Sequence, residues 1–214
     1  IIAGRFSAKQ KQLKWIKRLL QCITHFWVQD KASAKHLQSL GIFQTTVVGD
    51  SRFDRVYANA QTKKELPIIK AFKGNEKLLV MGSAWDSDIS LLEKNPNYKL
   101  IVAPHDLNYI PILQKQFKWL LYSKANESNI GDSQVLIIDN IGLLASIYKY
   151  ADVTYVGGAF GSGLHNILEA AIYGCPIIFG PKYQNYPEAK SLIQLGGAIS
   201  VSNKKEFKEA IKTF

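Results

Sequence analysis

The residues whose types and order are best suited to chemistry lie in one stretch, from Tyr155 to Ala171. It reads Tyr-Val-Gly-Gly-Ala-Phe-Gly-Ser-Gly-Leu-His-Asn-Ile-Leu-Glu-Ala-Ala, which predicts a strand, a glycine-rich loop and then a helix. Glycines such as Gly157 and Gly158 allow backbone N–H groups to approach a phosphate, and a helix N-terminus adds partial positive charge. The stretch therefore indicates a phosphate site, with a purely structural tight turn as the alternative.

Asn166 and Glu169 add a candidate ribose site to this stretch. Asn166 stands where a residue caps or begins the helix, and Glu169 follows one turn later. We expect Glu169 to face the crevice at the carboxyl ends of the strands, where its carboxylate can bridge both hydroxyls of a ribose. The alternative is that Asn166 is only a cap and Glu169 a solvated helix residue.

Three other predicted strand ends carry residues that suit the same crevice. Ser83 can donate to a phosphate oxygen, and His105, after Pro104, can hydrogen-bond a phosphate or a base. The backbone at Gly142 is expected to open a helix and present N–H groups, whereas Asp139 is expected to be a turn or cap residue. Ser83 as a helix cap and His105 as an ordinary loop residue are the alternatives.

Arg52 lies in the segment Gly49-Asp50-Ser51-Arg52-Phe53-Asp54. Its guanidinium would face an interdomain cleft and could hold a phosphate bidentately as charge develops. An interdomain salt bridge is the rival role.

The elements expected to position these residues alternate along the chain. Apolar runs predict buried parallel strands at Phe26 to Gln29, Thr45 to Val48, Leu78 to Met81, Leu100 to Ala103, Val135 to Ile138, Val153 to Val156, Ile177 to Phe179 and Ala198 to Val201. Amphipathic patterns predict helices at Ala8 to Ile23, Lys31 to Leu40, Leu107 to Phe117, Ile141 to Tyr150, His165 to Tyr173, Tyr186 to Leu195 and Lys205 to Lys212. The alternation predicts an α/β fold, a Rossmann-like parallel sheet with helices on both faces.

A change in composition near Gly49 to Asp54 predicts a domain boundary, because a polar, Lys-rich stretch follows before the next strand. Residues 1–50 are then the end of one domain, and residues 51–214 form a complete one. Asn126 to Ser133 is expected to be a polar surface loop.

Composition indicates which classes of partner and which cellular compartment suit the chain. The net charge of +10, from 27 Lys and Arg against 17 Asp and Glu, favours anionic partners such as nucleotides, phosphorylated lipids or nucleic acid. Cys22 and Cys175 lie far apart and do not have the spacing of metal ligands, which favours a reducing cytoplasm.

No apolar run approaches the roughly 20 residues that span a bilayer, so we expect any membrane contact to be peripheral. The opening Ile1-Ile2-Ala3, with no initiator Met, suggests an excised fragment or a processed product.

These motifs, in this order, resemble the C-terminal domain of the 3-deoxy-D-manno-octulosonic acid (Kdo) transferases over nearly the whole chain. The resemblance is carried by Gly4-Arg5-Phe6-Ser7, Gln29, Val47 to Asp54, Gly82-Ser83, Ala103-Pro104-His105, Asp139 to Leu144, Gly157-Gly158 and His165 to Glu169.

The resemblance implies the C-terminal half of a two-domain GT-B glycosyltransferase. The family moves Kdo from CMP-Kdo to a lipid A precursor in lipopolysaccharide assembly, inverting the anomeric centre without a metal or other cofactor. It works at the cytoplasmic face of the bacterial inner membrane. The resemblance also places the catalytic base, a glutamate, in a domain before Ile1, so the chain alone is expected to bind CMP weakly and to transfer no sugar.

The resemblance assigns roles by position. Residues that fall where the family contacts CMP are Pro104, His105, Gly142, Leu143, Leu144, Asn166, Ile167, Leu168 and Glu169. Ser83, Gly157 and Gly158 complete the expected donor site, and Arg52 matches a basic residue expected to stabilise the transition state. Two positions depart from the family, which often has Arg at position 105 and has Lys at position 52 in some members.

Other functions stay open. Another GT-B enzyme that uses a UDP-sugar, either a transferase or an epimerase-like enzyme, would also carry a glycine loop with a downstream glutamate. A basic nucleic-acid-binding module is disfavoured, because no recognised motif is present and the basic residues are spread along the chain. The basic, amphipathic stretch Lys9 to Arg18 could touch anionic lipid, and a solvated helix with one core-facing stripe is the alternative.

Overall fold

The computed structural model of this chain describes residues 14–62, 65–93, 96–116, 119–161 and 163–214. The chain divides into two compact units, Ile1–Arg55 and Val56–Phe214. The assignment of residues 1–50 to an acceptor domain and of residues 51–214 to a donor domain stays a prediction. The motif from Gly4 to Ser7, the first part of the predicted helix and basic stretch, and Ser162 lie outside the described residues.

The first unit contains two parallel strands joined by a helix. Its elements are α1 (Lys14–Gln21), β1 (Phe26–Val28), α2 (Lys31–Ser39), β2 (Thr45–Val47) and the start of α3 (Ser51–Gln61). Phe26 pairs with Thr45, and α2 supplies the crossover that parallel strands require. The side chain of Asp30 caps α2 by accepting a 2.6 Å hydrogen bond from the backbone N–H of Ser33.

The second unit is built on a seven-stranded sheet in which every neighbouring pair is parallel. Its elements are the rest of α3, then α4 (Pro67–Lys73), β3 (Leu78–Ala84), α5 (Asp86–Ile89), β4 (Lys99–Pro104), α6 (Ile110–Gln116), β5 (Leu120–Leu121), β6 (Val135–Ile137), α7 (Leu144–Ile147), β7 (Val153–Val156), α8 (Leu168–Ala171), β8 (Ile177–Phe179), α9 (Pro187–Gln194), β9 (Ala198–Ser200) and α10 (Lys204–Thr213). The strand order is β5-β6-β4-β3-β7-β8-β9. This is a doubly wound, Rossmann-like order, with its topological switch point between β3 and β7.

Helices cover both faces of this sheet because side chains alternate along each strand. On one face, Val80 of β3 belongs to a core with Phe72 of α4 and Ile147 of α7. On the other face, Met81 belongs to a core with Phe207 of α10. Burying each of these side chains stabilises the fold by about 1.5–3 kcal/mol. The predicted α/β class, with a parallel sheet and helices on both faces, is confirmed.

Helices α3 and α4 occupy much of the stretch that the sequence predicts as a polar connection. Helix α4 begins at Pro67, which lacks the N–H that the first helical position leaves unpaired, and it buries Ile69 and Phe72. Lys70 and Lys73, which belong to the Lys-rich stretch, lie in its last turn, where positive charge is favourable.

The helices beside the predicted site are shorter than expected. Helix α7 begins at Leu144 rather than at Ile141 and continues as a 3₁₀ turn over Tyr148–Tyr150. Helix α8 has only 4 residues, and a turn through Gly174, at φ +69°, follows it. The expected loop from Asn126 to Ser133 contains no helix or strand.

Candidate functional site

Strands β3 and β7 continue into loops that approach each other closely at the switch point. The backbone N–H of Gly157 donates a 2.9 Å hydrogen bond to the carbonyl oxygen of Gly82. A Cβ atom on Gly157 would lie 2.2 Å from the carbonyl oxygen of Ser83, and one on Gly82 would lie 2.0 Å from the hydroxyl oxygen of Tyr148. Glycine is therefore required at both positions.

Ser83 adopts the left-handed conformation, with φ +51°, where the pairing of β3 with β4 shifts register between Gly82 and Ala84. A non-glycine residue in this region is strained, and such residues cluster at ligand sites. Pro104 pairs with Ala84, and the backbone N–H of His105 donates to the Ala84 carbonyl oxygen at 2.9 Å. The fold thus brings Ser83, Pro104 and His105 together at the carboxyl edge of the sheet.

Asp88, at the carboxyl edge, is fully buried and accepts three hydrogen bonds. The backbone N–H of Trp85 donates to Oδ2 at 2.9 Å, and the backbone N–H of Gly158 donates to the same oxygen at 3.1 Å. The Tyr155 hydroxyl donates to Oδ1 at 2.6 Å. Burial, with the charge of Asp88, raises the pKa of Tyr155, which keeps that hydroxyl a donor. Asp88 therefore ties the loop after β3 to the loop after β7.

The glycine-rich loop folds back on itself. The carbonyl oxygen of Gly158, at φ +95°, accepts from the backbone N–H groups of Gly161 at 2.9 Å and Gly163 at 3.2 Å. The N–H of His165 then returns to the carbonyl oxygen of Gly157. The N–H groups of Gly157 and Gly158 already have acceptors within the protein, so these glycines shape the loop and do not offer those donors to a phosphate. Their place in the donor site stays a prediction.

Three rings stack where β3, β4 and β7 end. The Trp85 indole N–H donates a 3.1 Å hydrogen bond to Nε2 of His165, and the two rings are within 10° of parallel. His105 stacks on Trp85 with ring centroids 4.2 Å apart and on His165 with centroids 4.6 Å apart. Burial, then the charge of His105, lowers the pKa of His165, while Asp88 opposes the shift.

Asn166 and Glu169 lie at the start of α8. The Asn166 side-chain amide donates to Glu169 Oε1 at 3.0 Å, and its Oδ1 accepts from the backbone N–H of Leu168 at 3.2 Å. Asn166 therefore accepts from the first backbone N–H of α8 and orients the Glu169 carboxylate at once, while Ile167 occupies the N-cap position. The side chains of Ile167 and Leu168, predicted donor-site residues, are buried in the core, so only their backbone can face a ligand.

A cleft of about 190 Å³ opens beside Glu169. It lies between α3, the start of α7 and α8, and is lined by Val56, Asn59, Ala60, Thr62, Gly142, Ala145, Ser146, Glu169, Ile172 and Tyr173. Gly142 adopts φ +93° before α7, so it precedes the helix and does not open it. Leu143 and Leu144 pack against the core. The cleft brings the predicted residues Gly142 and Glu169 together and adds Asn59 and Ser146, which the sequence did not single out.

Arg52 lies in the first unit, where its Nε donates to Asp50 Oδ2 at 2.8 Å. Gln29 donates to the same oxygen at 2.8 Å, which joins three residues of the sequence motifs in one network. The hydrogen bond from Arg52 holds the pKa of the Asp50 carboxyl below its usual range. The expected catalytic role of Arg52 stays a prediction.

Neither a metal-ligand cluster nor a membrane-spanning helix is found among the residues that the structure describes. Within residues 14–214, less the gaps noted above, no cluster of three or more His, Cys, Asp and Glu side chains could hold a metal ion. No helix in the same part of the chain is long and apolar enough to cross a membrane.

Comparison with known proteins links the chain to glycosyltransferases. A Kdo transferase of Chlamydophila psittaci is 32% identical over 92% of this chain and 50% of its own length. A Kdo transferase of Rickettsia typhi is 24% identical over 97% of the chain and 48% of its own length. A bifunctional glycosyltransferase/methyltransferase of Fusobacterium nucleatum is 28% identical over 99% of the chain and 36% of its own length. The chain thus spans half or less of each of these relatives, and its resemblance to Kdo transferases is confirmed.

A solved structure supports the α/β fold of this chain. The crystal structure of the C-terminal CMP-Kdo binding domain of WaaA from Acinetobacter baumannii aligns with 73% of this chain and 85% of its own, with a TM-score of 0.57 and 18% identity. No family model matches the chain.

Proposed function

We propose that this chain is the donor-binding part of a GT-B glycosyltransferase that transfers Kdo from CMP-Kdo to a lipid A precursor. The observation that carries the proposal is the cleft at the carboxyl edge of a doubly wound sheet, where Gly142 and Glu169 meet. Supporting it is the similarity of nearly the whole chain to Kdo transferases.

The cleft is assigned to the nucleoside of the donor. Glu169 lines it, and a carboxylate can accept hydrogen bonds from both hydroxyls of a ribose. Asn166 holds Oε1 of Glu169 at 3.0 Å, which fixes the carboxylate before the ligand arrives. Asn59 and Ser146 face the same cleft and offer hydrogen-bonding groups to the nucleoside.

The transfer itself is an inverting displacement. An acceptor hydroxyl forms a bond to the anomeric carbon of Kdo while the bond from that carbon to the phosphate oxygen of CMP breaks, and CMP leaves with the electron pair. The hydroxyl proton passes to a base, which the resemblance places outside this chain. Arg52 is proposed to stabilise the charge that develops on the leaving phosphate, since a guanidinium pairs with phosphate oxygens in a bidentate manner.

Peripheral contact with an anionic membrane is proposed for α1. Trp15 and Leu19, four residues apart on the helix, are 63% and 58% exposed. Lys17 and Arg18 add positive charge to the same helix, which suits the cytoplasmic face of an inner membrane.

Reversing the charges of Lys17 and Arg18 should weaken binding to anionic vesicles, whereas the same change at Lys31 and Lys35 of α2 should have no effect. Unchanged vesicle binding in the α1 variant would remove this part of the proposal.

Calorimetry with CMP and UDP tests the proposed donor. CMP should bind and release heat, and UDP should bind more weakly or not at all. Tighter binding of UDP would instead favour a UDP-sugar enzyme. Salt-dependent binding of short oligonucleotides, stronger than that of CMP, would favour a nucleic-acid function.

A further inference from the structure

The Trp85–His165 pair has a defined protonation state. An indole N–H can only donate, so Nε2 of His165 must accept the 3.1 Å hydrogen bond with a lone pair. His165 therefore carries its single proton on Nδ1 and is neutral while this bond exists. Protonation of Nε2 would break the bond.

The ring of His165 is held by two neighbours. His105 stacks on one side of the ring, at 4.6 Å between centroids and an interplanar angle of 27°. The glycine loop is also in close contact, because a Cβ atom on Gly158 would lie 2.8 Å from Cδ2 of His165. The His165 ring thus has little freedom to turn away from Trp85, whereas His105 is exposed at the end of β4.

Electrostatic repulsion restricts His105 and His165 to one positive charge between them. Two imidazolium rings in stacking contact repel each other, so protonation of one opposes protonation of the other. Two acidic groups lie nearby: Asp88 accepts from Trp85, Tyr155 and Gly158, and the Asp106 carboxylate accepts from the backbone N–H of Asn108 at 2.9 Å. The charge of Asp88 favours a proton on His165, but burial outweighs it and lowers the pKa of that ring. The exposed ring of His105 is the one that can both gain a proton and reach an anion.

We infer that His105 and His165 form an anion-binding site that carries one added proton. Protonated His105 binds the phosphate of the donor, while Trp85 keeps His165 neutral. Donor binding is then coupled to the uptake of one proton. The identity of the ligand rests on the proposed function, whereas the protonation state of His105 and His165 is also a property of the free protein. His105 becomes a specificity residue for phosphate, and Trp85 and His165 are positioning residues that act through it.

The first test follows the imidazole resonances of the wild-type chain by NMR as pH is lowered. Inorganic sulfate is the probe, because its charge does not change over the range in which histidine titrates. His165 should stay neutral through the range in which an ordinary histidine, with a pKa of about 6.5, gains its proton. Sulfate should shift the His105 resonances at about pH 6 and leave them unchanged at about pH 8.5. Protonation of His165 within that range, or sulfate shifts that do not depend on pH, would overturn the inference.

The second test measures binding of the methyl ester of CMP, a phosphodiester whose charge is constant over the same range. Its affinity should fall by tenfold or more between about pH 6 and about pH 8.5, with uptake of one proton on binding. His105→Arg should keep the low-pH affinity and remove the pH dependence, and His105→Gln should lose the low-pH affinity. Trp85→Phe, which frees Nε2 of His165, should change the number of protons taken up.

Binding of the ester to the wild-type chain that does not vary with pH would contradict the inference. If no nucleotide binds but sulfate still gives the expected shifts, only the proposed function is contradicted.

Discussion

The carboxylate of Asp88 and the backbone N–H of Gly158 are joined by a 3.1 Å hydrogen bond, although the two residues are 70 positions apart in the chain. The same oxygen accepts from the N–H of Trp85. This single buried side chain therefore fixes the loop after β3 against the loop after β7, which are the two sides of the switch point. The geometry of the candidate donor site depends on it.

Replacement of Asp88 should destabilise the second unit. Asp88→Ala leaves the Gly158 N–H and the Tyr155 hydroxyl buried without their acceptor, and we expect a loss of about 3 kcal/mol in the free energy of unfolding. Asp88→Asn keeps one acceptor oxygen and should recover part of the loss. Urea unfolding measures both, with Asp86→Ala, an exposed carboxylate on the same helix, as the control. Equal stability of the Asp88→Ala and Asp86→Ala variants would show that the carboxylate does not hold the loops.

A side chain at Gly158 should disrupt the glycine loop. Its Cβ would lie 2.3 Å from the carbonyl oxygen of Gly163, a backbone atom that cannot move aside alone, and φ is +95°. Gly158→Ala should therefore cost at least ~3 kcal/mol and abolish CMP binding. Gly196→Ala is the matched control, because Gly196 has φ +76° with no atom near its Cβ position, and should cost only about 1 kcal/mol. Equal losses in the two variants would mean that backbone strain alone, without the contact to Gly163, sets the cost.

Stability should decline in mild acid because of His165. Burial lowers the pKa of this imidazole in the folded protein, so the unfolded chain binds the proton more readily. The stability that neutral His165 contributes is complete above the unfolded pKa of about 6.5 and is lost as pH falls from there through the lower folded pKa. In His165→Gln, whose amide oxygen can still accept from Trp85, the melting temperature should fall less between neutral pH and about pH 5 than in the wild type. His36→Gln, at an exposed position of α2, should keep the wild-type slope, and an unchanged slope in His165→Gln would refute the assignment.

Much of the sheet could be predicted because its strands are short apolar runs buried on both faces. The runs around Val80, Val102 and Val156 all form strands of the seven-stranded sheet. Their carboxyl ends then place Pro104, His105 and Glu169 at one edge by topology alone. The cleft at Gly142 and Glu169 follows from the same rule.

The remaining features depend on contacts that leave no local signal. Trp85 and His165 are 80 residues apart, and neither residue type predicts the other. Asp88 looks like an exposed helix residue in sequence, yet its partners lie 67 and 70 positions away. Helix α3 was missed because Val56 is its buried residue and the rest of its surface is polar or exposed.

Recognition of a ribose by Glu169 is the central claim, and a cycle of CMP titrations tests it most directly. Wild-type chain and Glu169→Ala are each titrated with CMP and with 2′,3′-dideoxy-CMP, and Glu209→Ala on α10 serves as the control. We expect Glu169→Ala to weaken CMP binding by about tenfold to a hundredfold, because the ribose hydroxyls lose their charged acceptor. The dideoxy ligand should bind the wild type and the variant equally. Undiminished CMP affinity in Glu169→Ala, or an equal loss with both ligands, would contradict the account.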